Sequence, residues 1–152
     1  MAAVLALNAD HEELLAPMDR ARFDQLRGIA HRLDVIDVGG DFAGFVLTFE
    51  PGSTYDSANY RWFTARYRDD FYYLDRIVVH PAFRRQGLAD FVYDEVEQLA
   101  AAHGRLALEV NVQPPNEPSL AFHRRRGFEE VGQRGDPAHR VSMLTKSLPA
   151  PD

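Results

Sequence analysis

The stretch Arg84-Arg85-Gln86-Gly87-Leu88-Ala89 joins a β-branched apolar run, Ile77-Val78-Val79, to the start of an amphipathic helix. At a helix start several backbone N–H groups lack an intrahelical partner, and the helix dipole adds partial positive charge. A glycine there lets an anion approach the main chain closely, and neighbouring arginines add cationic donors suited to phosphate oxygens. Such a turn is suited to holding a phosphate or diphosphate. Its spacing is neither G-x-G-x-x-G nor G-x-x-x-x-G-K-[ST], which argues against a dinucleotide fold or a P-loop. The competing reading is a plain βα turn decorated with surface arginines.

Other chemistries are poorly provided for. The chain of 152 residues has no cysteine, which excludes disulfides, thiolate metal sites and cysteine nucleophiles. Its histidines outside the second motif below (His11, His31, His80, His103 and His139) lack metal-ligand spacing, and no strong Ser-His-Asp arrangement is evident. No metal is expected. With 17 basic against 23 acidic residues the formal charge is −6, which argues against nucleic acid or an anionic membrane as partner. All the basic residues but Lys146 are arginine, so an arginine cluster must be judged by its setting. Asp10, Glu12 and Glu13 are unlike a signal peptide, and the expected location is the cytoplasm. The length predicts one domain over residues 1–152.

The elements that must position the turn follow from periodicity. Residues 4–8 read as a short first strand, and residues 19–31 as a helix with Phe23, Leu26 and Ala30 at helical spacing. Residues 33–38 and 42–49 read as strands around the hairpin turn Gly39-Gly40, and residues 57–67 as a short helix. Residues 71–79 form a strand and residues 86–102 a helix whose Leu88, Phe91, Val92, Glu95, Val96 and Leu99 share a mostly apolar face. A strand over residues 105–112, a helix over 118–126 and strands over 128–133 and 141–148 complete the chain. The strand–helix–strand order over residues 71–112 predicts a parallel pair with a right-handed crossover.

The hexapeptide reads R-x-x-G-x-A and resembles the acyl-CoA signature of the GNAT acyltransferase superfamily, [QR]-x-x-G-x-[GA], in the strand-to-helix context that family requires. A second match follows in the same order. Asn116-Glu117-Pro118-Ser119-Leu120-Ala121-Phe122-His123, then Gly127-Phe128, resembles the family's N-x-x-[SA]-x-x-[FL]-[YH] helix and its G-F. "YDSANYRWF", "YLDRIVV" and "EVNVQPPNEPSLAFHRRRGFEEVG" are similar, more narrowly, to a bacterial branch of predicted acetyltransferases within it. The resemblance implies an α/β (α+β) GNAT fold: a mixed, mostly antiparallel sheet of about six to seven strands, flanked by about four helices. Its fourth and fifth strands, here residues 71–79 and 105–112, run parallel and splay apart around the thioester arm of acetyl-CoA.

The same resemblance implies acetyl-CoA as co-substrate and transfer of its acetyl group to an amine. Backbone groups of Ile77, Val78 and Val79 would bond the pantetheine arm, and one N–H there would stabilise the oxyanion. Arg84 would add charge, and the amides of Arg85, Gln86, Gly87, Leu88 and Ala89 would hold the diphosphate. Asn116, Ser119 and Phe122 would line the arm's channel. Asp75 is the first candidate base, with strand alternation placing it on the side of Tyr73 and Ile77. A salt bridge with Arg76 is its competing role. Glu109 is the second candidate, and a water chain from either serves equally. His123 stands where many relatives carry a tyrosine proposed to protonate the leaving thiolate; packing or a helix-end hydrogen bond is the alternative. Arg124-Arg125-Arg126 resembles a second phosphate patch, with a solvated helix face as the competing reading.

Family members shape the acceptor site with segments ahead of the fourth strand, where Tyr55, Asp56, Ser57, Asn59, Tyr60, Arg61 and Trp62 crowd. Asp56 would meet an ammonium group and Arg61 a carboxylate, which suits a small-molecule, amino-acid or peptide amine; core packing of the aromatics is the other reading. Without cysteine no acetyl-cysteine can form, so the expected route is direct transfer in a ternary complex. The alternative function is a sensor of the same shape that binds acyl-CoA without turnover. A homodimer is compatible with either.

Overall fold

The computed structural model describes residues 2–11, 15 and 17–151. The elements run α1 (Ala2–Ala9), α2 (Arg20–Ile29), β1 (Arg32–Val38), β2 (Asp41–Phe49), α3 (Ala58–Tyr67), β3 (Tyr72–Val79), α4 (Leu88–Ala100), β4 (Arg105–Gln113), α5 (Glu117–Arg125), β5 (Glu129–Asp136) and β6 (His139–Ser147). The strands form one sheet in the order β1-β2-β3-β4-β6-β5, antiparallel throughout except for the parallel pair β3–β4.

One expected element is different in kind. Residues 4–8 lie within helix α1, not a strand, so the sequence-predicted fourth and fifth strands are β3 and β4. Apart from Asn8, α1 is built wholly from alanine, leucine and one valine, mostly strong helix formers, and it buries Val4 and Leu7. It covers one face of the sheet together with α2 and α3, which add Phe23, Leu26, Tyr60 and Phe63 to Phe45, Leu47, Phe49 and Tyr73. Helix α4 covers the other face, where Val92, Tyr93, Val96 and Ala100 pack on Tyr72, Leu74, Leu106 and Leu108. Its buried stripe is therefore turned from the expected one: Phe91 is 62% exposed, and Tyr93 lies inside. With both faces covered, β2 is buried along nearly its whole length.

A bulge in β3 decides what the sheet offers the site. Leu47 pairs with Arg76 and the next residue, Thr48, pairs with Leu74, so Asp75 is the extra residue. The bulge breaks the alternation. Tyr73 and Val78, an odd number of positions apart, both face the α1–α3 core, whereas Ile77 packs with the α4 core. The expectation that Asp75 and Ile77 share a side is thereby corrected.

Candidate active site

Strands β3 and β4 pair only through Tyr72 with Leu106 and Tyr73 with Ala107, and then part. A cleft of about 470 Å³ opens between them, with Ile77 and Val79 on one wall and Val110, Asn111 and Asn116 on the other. Beyond the bulge β3 pairs with a neighbouring strand on one edge only. The Val78 carbonyl turns towards β2, where a Cβ on Gly44 would come within 2.1 Å of it, so glycine is required there. The Val79 carbonyl turns the other way and accepts a bond from Arg84 Nε at 3.3 Å. Alternation places the main-chain groups of Ile77 on that same open edge.

The turn after β3 is shaped for an anion. A 3₁₀ turn, Pro81–Phe83, is capped by His80, whose Nδ1 accepts from the Ala82 N–H at 3.1 Å. Arg85 and Gly87 then both adopt left-handed backbone, with φ of 64° and 74°. Gly87 is the N-cap of α4, and no side chain caps that end. A Cβ at Gly87 would meet nothing within 4 Å, so the position calls for glycine because of its backbone angle. The result is a run of outward N–H groups at a helix N-terminus, a concavity suited to a diphosphate. Arg84 lines the cleft beside it, with Nη2 2.7 Å from His11 Nε2.

Two carboxylates face the cleft in different states. Asp75 accepts from the Tyr55 hydroxyl at 2.6 Å and from Arg76 Nε at 2.6 Å, and Arg76 in turn donates to Asn8 Oδ1 at 3.0 Å. Both Asp75 oxygens are thus committed inside a buried ion pair. Among the described residues no cation is in ion-pair contact with Glu109. Tyr73 donates its hydroxyl towards both carboxylate oxygens, and Asn59 adds a bond while its own Oδ1 accepts from Arg134 at 2.6 Å. Burial and the nearby Asp75 charge outweigh those hydrogen bonds and push the Glu109 carboxyl up to about 7. Glu109 is thereby poised to exchange a proton near neutrality.

The second motif folds as a wall of the same cleft. Asn116 caps α5 by accepting from Ser119 N–H at 3.3 Å, and both residues line the cleft. His123 is buried, its Nδ1 2.7 Å from the Ser119 carbonyl and its Nε2 2.6 Å from the Tyr93 hydroxyl. Burial lowers its pKa below the ordinary histidine value. Phe122 packs edge-on against Tyr93, centroids 5.0 Å apart, and is not among the cleft-lining residues.

A family model described as the acetyltransferase (GNAT) family matches residues 5–128. The chain belongs to that family. The fold is similar to the crystal structure of Ard1 from Thermoplasma volcanium, with TM-score 0.70 and 14% identity over 97% of this chain and 92% of that one. It is similar to the ribosomal-protein-S18-alanine N-acetyltransferase of Escherichia coli, with TM-score 0.64 and 19% identity over 100% and 92% of the two chains. A GNAT family acetyltransferase from Elizabethkingia anophelis, solved with acetyl-CoA bound, gives TM-score 0.63 and 15% identity over 90% and 89%.

The GNAT frame gathers some acceptor candidates and scatters others. Tyr55, Ser57 and Asn59 line the cleft, joined by Arg22, which the sequence reading passed over. Asp56 points away into an exposed pair with Arg22, at 2.6 Å. Tyr60 is in the core, bonded to the Glu50 carbonyl; Arg61 is exposed; Trp62 lies so close to Gly132 that a Cβ there would come within 2.7 Å of its ring. None of Tyr60, Arg61 and Trp62 lines the cleft. Of the three consecutive arginines, Arg126 is held by Asp90, Asp94 and Glu97 of α4 at 2.8, 2.7 and 2.8 Å, so it is a clamp between helices and offers no charge to a phosphate. Arg124 and Arg125 are exposed. Tyr73 and Tyr93 are further polar groups of the site to which the sequence reading gave no role.

Proposed function

We propose that this GNAT protein is an acetyl-CoA-dependent N-acetyltransferase acting on a primary amine of an amino acid, a peptide or a small molecule. The observation that carries the reading is the parting of β3 and β4 beside the uncapped turn at Gly87, with Glu109 held at a pKa near neutrality in the gap. The donor set fits coenzyme A: main-chain N–H groups and Arg84 for the diphosphate, the open edge of β3 for the amides of the arm, and Asn116 and Ser119 opposite. When bound, acetyl-CoA supplies an activated acyl group and a thiolate leaving group.

The protein's own part is to desolvate, align and move protons. Glu109 takes the proton that the acceptor ammonium must lose, within hydrogen-bond or one-water reach. An N–H on the open edge of β3 stabilises the developing oxyanion. Asp75, paired with Arg76 and Tyr55, holds the bulge that points this edge into the cleft. The absence of cysteine supports direct attack of the amine. Likeness to a ribosomal-protein-S18-alanine N-acetyltransferase supports a peptide or amino-acid amine among the acceptors.

The test is thiol release from acetyl-CoA against a panel of amines, with calorimetry against free CoA. Amine-dependent release with intersecting initial-rate lines is the expected result. Binding of CoA without release on any amine favours the sensor, and absence of CoA binding at millimolar concentration overturns both readings.

A further inference from the structure

His123 lines the cleft, and both of its ring nitrogens are taken up by hydrogen bonds. Nδ1 lies 2.7 Å from the Ser119 carbonyl, which can only accept, so Nδ1 is the protonated nitrogen of the neutral ring. Nε2, 2.6 Å from the Tyr93 hydroxyl, then accepts from it; in the imidazolium Nε2–H donates to the phenol oxygen instead. Tyr93 reaches this point from α4, is buried, and itself lines the cleft beside Ser119 and Asn116. Phe122 and Phe128 pack edge-on around the pair, with centroids 5.0 Å from Tyr93 and 5.1 Å from His123, and hold both rings in place. Two hydroxyls that line the cleft touch the ring, Tyr93 at 2.6 Å from Nε2 and Ser119 Oγ at 3.3 Å from Nδ1, and the Tyr93 contact is the closer route by which a proton on His123 reaches the cleft.

Resting on the acetyltransferase reading above, we propose that the leaving thiolate is protonated by a relay from His123 through Tyr93, with Tyr93 as the catalytic acid at sulfur. As the C–S bond breaks, its electron pair goes to sulfur. Sulfur takes the Tyr93 hydroxyl hydrogen while the phenol oxygen takes the Nε2 hydrogen of the His123 imidazolium. What remains is neutral His123 with Nδ1–H on Ser119 and Tyr93 again donating to Nε2, the arrangement present in the structure. Over the cycle the acceptor nitrogen sheds two protons and sulfur gains one, so one is released and His123 is recharged from solvent.

Burial raises the Tyr93 phenol, so a free phenolate is disfavoured and donation to sulfur must be concerted with receipt from Nε2. His123 titrates below the ordinary histidine value, mainly from burial and also from Arg126, which α4 faces with Asp90, Asp94 and Glu97, the last also bonded to Lys146 of β6. The charged relay is therefore filled on the acid side and empties as pH rises.

The test compares wild type, Tyr93→Phe, His123→Gln and the double variant, with kcat, KM for acetyl-CoA, calorimetric CoA affinity and the pH profile of kcat. Glutamine can donate to the Tyr93 oxygen and so preserves a structural contact, but it cannot deliver a proton. Each single variant is expected to lose about 10–100-fold in kcat, with the double losing no more than either and CoA affinity unchanged. The alkaline fall of kcat is expected to disappear in His123→Gln. Tyr93→Phe turning over at the wild-type rate, or His123→Gln matching wild type across pH, overturns the relay while leaving the acetyltransferase reading intact. Should a variant not fold, a wild-type kcat that shows no alkaline fall is sufficient to overturn it. Wild type inert on every amine removes the relay together with the reading it rests on.

Discussion

The Tyr73 hydroxyl on β3 reaches both carboxylate oxygens of Glu109 on β4, at 2.8 and 2.7 Å. It does so just where the two strands stop pairing, since Tyr73 and Ala107 are the last residues in register. A side-chain bond takes over from the main-chain ladder, and the carboxylate it fixes stands at the mouth of the opening.

Activity should follow the ionisation of that carboxylate. Glu109 is an effective base only when deprotonated, so its contribution to kcat/KM is expected to rise with pH through about 7, opposed by the emptying of the His123 relay, and the profile is expected to be bell-shaped. Glu109→Gln is expected to lower kcat by about 100-fold or more and to flatten the rise. Steady-state pH profiles of the two proteins check this. An unchanged acid limb in the variant assigns the base elsewhere.

The same substitution should stabilise the fold at alkaline pH. The folded pKa of Glu109 is raised from 4.5 to about 7, so the folded state favours the protonated form. The penalty is absent below the unfolded value, builds as pH rises between the two, and is complete above the folded one. At about 1.4 kcal/mol per unit the full penalty is on the order of 3 kcal/mol. Glu109→Gln is expected to melt several degrees above wild type at pH ~8, with the gap closing near pH ~4.5. Thermal melts at the two pH values decide it.

Asp75→Asn should act on stability first. Arg76 is buried and its pair with Asp75 spans 2.6 Å, so neutralising one partner strands the other. Breaking such a pair costs about 3–5 kcal/mol. A fall of roughly 10 °C in melting temperature is expected, with the folded fraction still showing the pH response of Glu109. Loss of that response in folded Asp75→Asn would make Asp75 the base.

Gly87→Val tests the anion turn. A side chain at a left-handed position costs about 1–2 kcal/mol, more for a β-branched residue, and this one would also crowd the N–H groups of α4. CoA affinity by calorimetry is expected to fall by about 10-fold or more, with a modest loss of melting temperature. Wild-type affinity in a folded variant would place the diphosphate elsewhere.

Much of the frame was legible because local signals agreed. The β-branched run, the glycine and the apolar helix after it all pointed to the turn at Arg84 to Ala89, and Asn116 sat where a cap was needed. The failures have physical causes. Residues 4–8 were too short a run to show a period, and only their alanine and leucine content hinted at α1. The bulge at Asp75 carries no glycine or proline to announce it, so alternation was carried one residue too far. The site of Tyr93 depends on the rotation of α4, which turned on whether Phe91 was buried. For Arg126 a clue did exist: Asp90, Asp94 and Glu97 recur at helical spacing and mark an acidic stripe on α4.

The extra residue in β3 sets a limit of length. Tyr73 and Val78 feed the same core across an odd interval only because one position is left out of register between them. Straightening the bulge without removing a residue would restore strict alternation and swing every side chain downstream to the opposite layer. The extra residue and the bulge must therefore be kept or lost together.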